Sequence, residues 1–180
     1  MQPSNSRART LQYSFLLISS AFGVELTIGL LTGSLALIAD ALHAFFDVMV
    51  TVMLLATTIL ASMPPDIDHT YGHEKIEPLG SFVGGVVLTG FSLFLIYQAF
   101  IRIQETFIIN PGIAGIGAAL FTLCVDVGRI HVLKKPSGSL AVRADLLHAV
   151  SDFGSTIIAL IGVLLANFQI FPPEPFESDF

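Results

Sequence analysis

Five apolar stretches, roughly 11–31, 34–61, 79–101, 112–133 and 139–168, occupy most of this 180-residue chain. Each reaches the length of about 20 residues that a helix needs to cross a bilayer. In lipid the backbone must satisfy its own hydrogen bonds, so only helices and closed barrels span. These runs are too long and too continuous for the alternating strands of a barrel. The expected fold is therefore all-α: a polytopic transmembrane helix bundle. The composition agrees. Hydrophobic residues make up 53% of the chain and charged residues 12%, about half the usual quarter for charge. That excludes an ordinary soluble domain, a disordered chain and a coiled coil. One cysteine excludes a disulfide framework and a thiolate-rich metal site, and a net charge of -6 argues against nucleic acid as a partner. The first stretch is too long for a signal peptide and lacks a small-x-small cleavage site.

Lys and Arg set the expected orientation. With the N-terminus in the cytoplasm, Arg7, Arg9, Lys75, Arg129, Lys134, Lys135 and Arg143 fall at or near the inner side and Arg102 near the outer side. Small residues at fourfold spacing, Gly80 and Gly84 above all, mark faces where helices approach closely.

The chain also repeats itself. Residues 33–47 read GSLALIADALHAFFD and residues 138–152 read GSLAVRADLLHAVSD, with ten of fifteen positions identical at an offset of 105. One copy opens span two and the other opens span five, so the copies have opposite topology, as in transporters built from inverted repeats. Shifted by the same offset, span one falls on span four, and span three falls on 184–206, beyond Phe180. The repeat unit is three helices, and five spans of an expected six are present. The transmembrane domain is expected over 1–168. The acidic, Pro-containing tail 169–180 reads as a truncated end, or else the chain is a five-helix variant.

Each copy carries Asp, His and Asp in register: Asp40, His43 and Asp47, then Asp145, His148 and Asp152. A charge at mid-membrane costs about 2.5–3.5 kcal/mol on insertion scales. No buried Lys or Arg is expected as a mid-span counter-ion, so a bound cation is the simplest compensation. His43 and Asp47 share a helix face at i and i+4, as do His148 and Asp152. Two imidazoles and two carboxylates suit tetrahedral Zn²⁺, and the charges cancel. Imidazole ligands also admit Mn²⁺, Fe²⁺, Co²⁺ or Cd²⁺ in place of Zn²⁺. Proton and metal compete for the same nitrogens, a ready basis for antiport. Asp40 and Asp145 lie near the same faces, either as partners that orient the histidines or on the path into the site. Glu25 and Asp126 are further intramembrane acids. The loop PPDIDHTYGHEKIEP offers Asp66, His69 and His73 as a second metal site at the cytoplasmic mouth.

The repeat segments and the YGH-x-K-x-E core of that loop resemble the cation diffusion facilitator family, the zinc-type metal/proton antiporters, over about residues 10–168. The resemblance implies six helices with a metal site between helices two and five. Its ligands map to His43, Asp47, His148 and Asp152, and His at the first position of each pair is similar to the zinc-selective members. It implies that Asp66, His69 and His73 match a second site, that the protein forms homodimers, and that zinc leaves the cytoplasm by alternating access. It implies no organic cofactor and no enzymatic activity, and a plasma-membrane location if the source is prokaryotic. The family's sixth helix and cytoplasmic C-terminal domain have no counterpart in the sequence. A non-transporting metal-binding subunit or fragment is the alternative. A membrane metalloenzyme is disfavoured by the absence of H-E-x-x-H and of a histidine-rich cluster.

Overall fold

The structure is a computed structural model that describes residues 3–67, 70–103, 112–134 and 138–167. Among the described residues five α-helices follow one another: α1 Pro3–Thr32, α2 Leu35–Ala61, α3 Ile76–Ile103, α4 Gly112–Leu133 and α5 Leu140–Asn167. All five are long and apolar enough to cross a membrane. At 1.5 Å per residue, even 22-residue α4 rises about 33 Å, enough for a hydrocarbon core of about 30 Å. The largest departure from the apolar stretches is at the start, where α1 extends back to Pro3. Proline suits a first helical position, because its fixed φ is helical and its missing N–H is not needed there.

The sequence repeat is also a repeat of backbone. Gly33 has φ 65° and Gly138 has φ 63°, a left-handed conformation that glycine adopts without steric cost. The serine after each glycine caps the helix that follows. Ser34 Oγ accepts from Leu37 N–H at 3.4 Å, and Ser139 Oγ accepts from Val142 N–H at 3.2 Å.

Contacts between distant segments fix the helix directions. Glu77, in the first turn of α3, accepts a hydrogen bond from Ser139 Oγ at 2.6 Å and one from Ala141 N–H at 3.4 Å. Arg7 Nη1 lies 3.6 Å from the other oxygen of Glu77. The starts of α1, α3 and α5 thus meet at one end of the bundle. At the other end α1 turns directly into α2, with Ser34 N–H donating to Gly29 O at 3.1 Å. Helix α2 therefore runs opposite to α5, and the two copies of the repeat are inverted.

Helix α1 packs on α2 and α4, α4 on α5, and α2 on α3. Leu11, Val50, Leu54, Leu133, Ala141, Val142 and Ala149 form one buried apolar cluster, and Ile18, Ala21 and Val125 form a second. The buried set also holds Ser14, Glu25, Asp47, Thr51, Asp126, Arg129 and Asp145. Large apolar residues such as Leu31, Phe82, Ile96 and Ile158 are exposed instead. A polar interior inside an apolar exterior is the arrangement expected where the solvent is lipid.

Gly80 sits where α3 crosses α2. A Cβ there would collide with the Thr57 side chain, while Gly85 has open space around it. Gly80→Ala is therefore expected to cost about 1–3 kcal/mol through overpacking. Gly85→Ala should leave melting in detergent unchanged or slightly raised. Equal melting curves for the two variants would contradict this account of the crossing.

Candidate metal centre

His43 and Asp47 lie one turn apart on α2, and His148 and Asp152 one turn apart on α5. The two pairs face each other inside the bundle. His148 Nε2 is 2.7 Å from Asp47 Oδ1 and 3.5 Å from Asp152 Oδ2. His43 Nε2 is 3.5 Å from Asp47 Oδ2 and 3.9 Å from Asp152 Oδ1. Asp47 is 2% exposed and thus sits between two imidazoles with almost no access to water. One ligand atom each from His43, Asp47 and Asp152 can be chosen so that all three lie within 4.8 Å of one another. Around a zinc ion with ligand bonds of 2.0–2.2 Å, tetrahedral ligand atoms stand roughly 3.4 Å apart. The separations among His43, Asp47 and Asp152 need to shrink by at most about 1.4 Å to reach that geometry, and His148 stands outside this group of three while touching Asp47.

The surroundings fix the histidines unequally. The His43 ring stacks on Phe91 of α3, with centroids 5.5 Å apart and planes at 21°. Its Nδ1 is buried without a hydrogen-bond partner. A cavity of about 300 Å³ between α2, α3 and α5 is lined by Val50, Gly84, Leu88, Asp145, His148 and Ser151. A larger one, about 680 Å³, opens where α1, α3 and α5 begin, against Thr58, Tyr71, His73, Glu74, Glu77 and Gly138. Both lie toward the end of the bundle that carries Arg7.

The structure corrects the expectation that no buried cation accompanies these acids. Arg129 of α4 is 0% exposed. Its Nη2 donates to Asp145 Oδ1 at 3.0 Å, its Nη1 to Asp152 Oδ2 at 3.2 Å, and its Nε to Ser14 Oγ at 3.3 Å. The physical reason is directional. Arg129 stands about one turn from the end of α4, which made it look interfacial. Helical side chains tilt toward the N-terminus of their own helix, and for α4 that direction is mid-membrane. The long stem carries the guanidinium inward. Arg129 therefore leaves the set that orients the chain. Arg7, Arg9, Lys75, Lys134, Lys135 and Arg143 still stand against Arg102.

The remaining acids fall into two groups. Asp145 is 1% exposed and binds Arg129 and the Thr51 hydroxyl, the latter at 3.3 Å, so it holds the arginine rather than a histidine. Asp40 is exposed on α2. Glu25 of α1 accepts from the Thr122 hydroxyl. Asp126 is 0% exposed, and neither of its carboxylate oxygens has a hydrogen-bond partner among the described residues. In the loop, His73 Nε2 is 3.5 Å from Asp66 Oδ2. His69 lies outside the described residues.

Sequence reasoning missed Arg129, Ser14, Thr51 and Phe91 as neighbours of the site. A signal for Arg129 existed. It follows Asp126 by three positions and Thr122 and Val125 by seven and four, all on one face of α4.

A bundle with paired His and Asp on two facing helices defines a class of polytopic membrane protein with an ionisable centre. The model of the cation efflux transmembrane domain matches residues 11–178. The chain belongs to this family, the cation diffusion facilitators, and is a multi-pass membrane protein. It is 29% identical over 165 residues to the zinc transporter ZitB of Escherichia coli, covering 91% of this chain and 52% of that protein. It is 28% identical over 169 residues to a cadmium, cobalt and zinc/H(+)-K(+) antiporter of Bacillus velezensis, covering 91% and 53%. It is 27% identical over 164 residues to the metal cation efflux system protein CzcD of Cupriavidus metallidurans, covering 89% and 51%. The chain thus spans about half the length of these curated relatives. None of the three is named as an enzyme.

Proposed function

We propose that this protein carries a divalent metal cation across a membrane, zinc in preference, outward from the cytoplasm and in exchange for protons. The observation that carries the reading is the meeting of His43 and Asp47 with His148 and Asp152 in the bundle interior. Two carboxylates balance one divalent ion, and two imidazoles favour zinc and its late-transition neighbours over magnesium or calcium. Relatives named for zinc, and for cadmium and cobalt with zinc, support the same class of substrate. Exchange follows from chemistry. An imidazole ligates only when neutral, and its ordinary pKa is about 6.5. Acid on the release side therefore favours proton over metal, and neutral pH on the loading side favours metal over proton. The cavity that opens at the Arg7 end supports loading from that side, which the balance of Lys and Arg assigns to the cytoplasm.

The test is zinc uptake into proteoliposomes. An acidic lumen should accelerate uptake, and dissipating the pH gradient with an ionophore should slow it severalfold. Asp152→Ala should reduce uptake to the level of empty liposomes. Uptake indifferent to the gradient would remove the proton from the proposal, and full uptake by Asp152→Ala would remove the ligand set. Zinc binding without any flux would assign the chain to metal binding alone.

A further inference from the structure

Arg129 is a fixed cation lodged beside the site proposed for a mobile one, and its partners divide between the two. Nε on Ser14 and Nη2 on Asp145 hold the guanidinium in place from α1 and α5. Only Nη1 reaches the proposed metal centre, at Asp152 Oδ2, the same oxygen that faces His148 at 3.5 Å. Asp152 cannot serve both cations well. A divalent ion on this carboxylate takes its electron density and places a double positive charge beside the guanidinium, where low polarity leaves repulsion poorly screened.

A second carboxylate stands ready for Nη1. Asp126 lies one turn before Arg129 on α4, is 0% exposed, and has both oxygens without a hydrogen-bond partner among the described residues. The nearer of these, Oδ1, is 3.9 Å from Nη1. A buried acceptor left unsatisfied is costly, and a swing of the guanidinium through about an ångström would satisfy it. Ser14 and Asp145 need not let go, so they act as the pivot.

We propose that Arg129 is a tethered counter-cation that trades Asp152 for Asp126 when a divalent metal ion takes Asp152. The inference rests on the reading of His43, Asp47, His148 and Asp152 as the metal centre. Arg129 and Asp126 touch no metal and act by positioning. Asp126 gives the displaced charge a place to go, and Arg129 sets how strongly a metal must compete for Asp152.

The experiment is a double-mutant cycle on zinc affinity, measured by competition with a fluorescent chelator on the full chain in nanodiscs. Asp126→Asn should weaken zinc binding about tenfold, the usual effect of removing a group that supports a ligand. Arg129→Gln should strengthen it. In the Arg129→Gln background, Asp126→Asn should change affinity by less than about twofold, because no charge remains to be moved. Arg129→Lys, which restores a movable charge, should restore the dependence on Asp126. Additive effects, or wild-type affinity in Asp126→Asn, would overturn the exchange. A second measurement uses no Arg129 variant. The zinc-induced infrared difference spectrum of the wild type should contain a carboxylate band that Asp126→Asn lacks, and identical spectra would overturn the proposal. Asp47→Ala separates the two levels. If it keeps wild-type affinity, the metal centre itself is misassigned. If it abolishes binding while the cycle is additive, only the exchange fails.

Discussion

Asp47→Ala should lower zinc affinity at least about a hundredfold and stop zinc flux. Asp47 offers one oxygen to each imidazole and is 2% exposed, so water cannot substitute for the missing carboxylate. Removing one member of a buried ion-paired set costs about 3–5 kcal/mol, and each 1.4 kcal/mol is tenfold in affinity. In the proposed centre the variant also removes half the negative charge that would balance the metal. Asp47→Asn keeps the shape and loses the charge, so it should fail nearly as badly while the helices stay packed. Titration calorimetry with zinc checks both variants. An asparagine variant that binds as the wild type does would show that charge at this position is irrelevant to the site.

Glu77→Ala should destabilise the bundle more than loss of any single helix cap. Glu77 accepts from the Ser139 hydroxyl and from Ala141 N–H, and Arg7 lies beside it, so it ties together the starts of α1, α3 and α5. Hydrogen bonds to a charged group contribute about 1.5–3 kcal/mol. For a chain of this length, at about 2–4 °C per kcal/mol, that corresponds to a drop of about 3–12 °C in detergent melting. Ser34→Ala, which loses only a cap, should cost about 1 kcal/mol. Ser139→Ala should cost more than Ser34→Ala, because Ser139 caps α5 and also donates to Glu77. Equal losses at the two serines would show that the Glu77 contact adds nothing to the cap.

These features differ in how far the sequence reveals them. The five helices were legible because hydropathy over about 20 residues is a local property, and lipid leaves few alternatives to a helix. The meeting of His43 and Asp47 with His148 and Asp152 was legible because the repeat preserves register, so a pattern within one helix announced its partner in another. Arg129 was misplaced because sequence position locates a Cα, whereas this guanidinium is displaced toward mid-membrane by the tilt and length of its side chain. The tie from Glu77 to Ser139 was hidden because it depends on how helix ends converge, and neither residue is unusual where it stands in the sequence. Phe91 against His43 was hidden for the same reason, one aromatic residue among many on an apolar helix. The loop pair Asp66 and His73 was legible from spacing, and the two residues are brought within 3.5 Å.

The buried ionisable groups of α1 and α4 bear on the energies of the two orientations that the proposed metal–proton exchange requires. If the two halves of an inverted repeat were identical, exchanging their roles would exchange inward and outward forms, and the two would be degenerate by symmetry. In sequence Asp40, His43 and Asp47 match Asp145, His148 and Asp152, although Asp145 is buried against Arg129 and Asp40 is exposed. Arg129 has no such match, for its counterpart 105 residues earlier is Val24, and the counterparts of Asp126 and Glu25 are Ala21 and Ile130. Arg129, Asp126 and Glu25 thus depart from the repeat from within the bundle, and under the proposed metal–proton exchange they would break that degeneracy without a ligand. A bias between the two forms would then reside in α1 and α4, whose buried ionisable groups the repeat does not match.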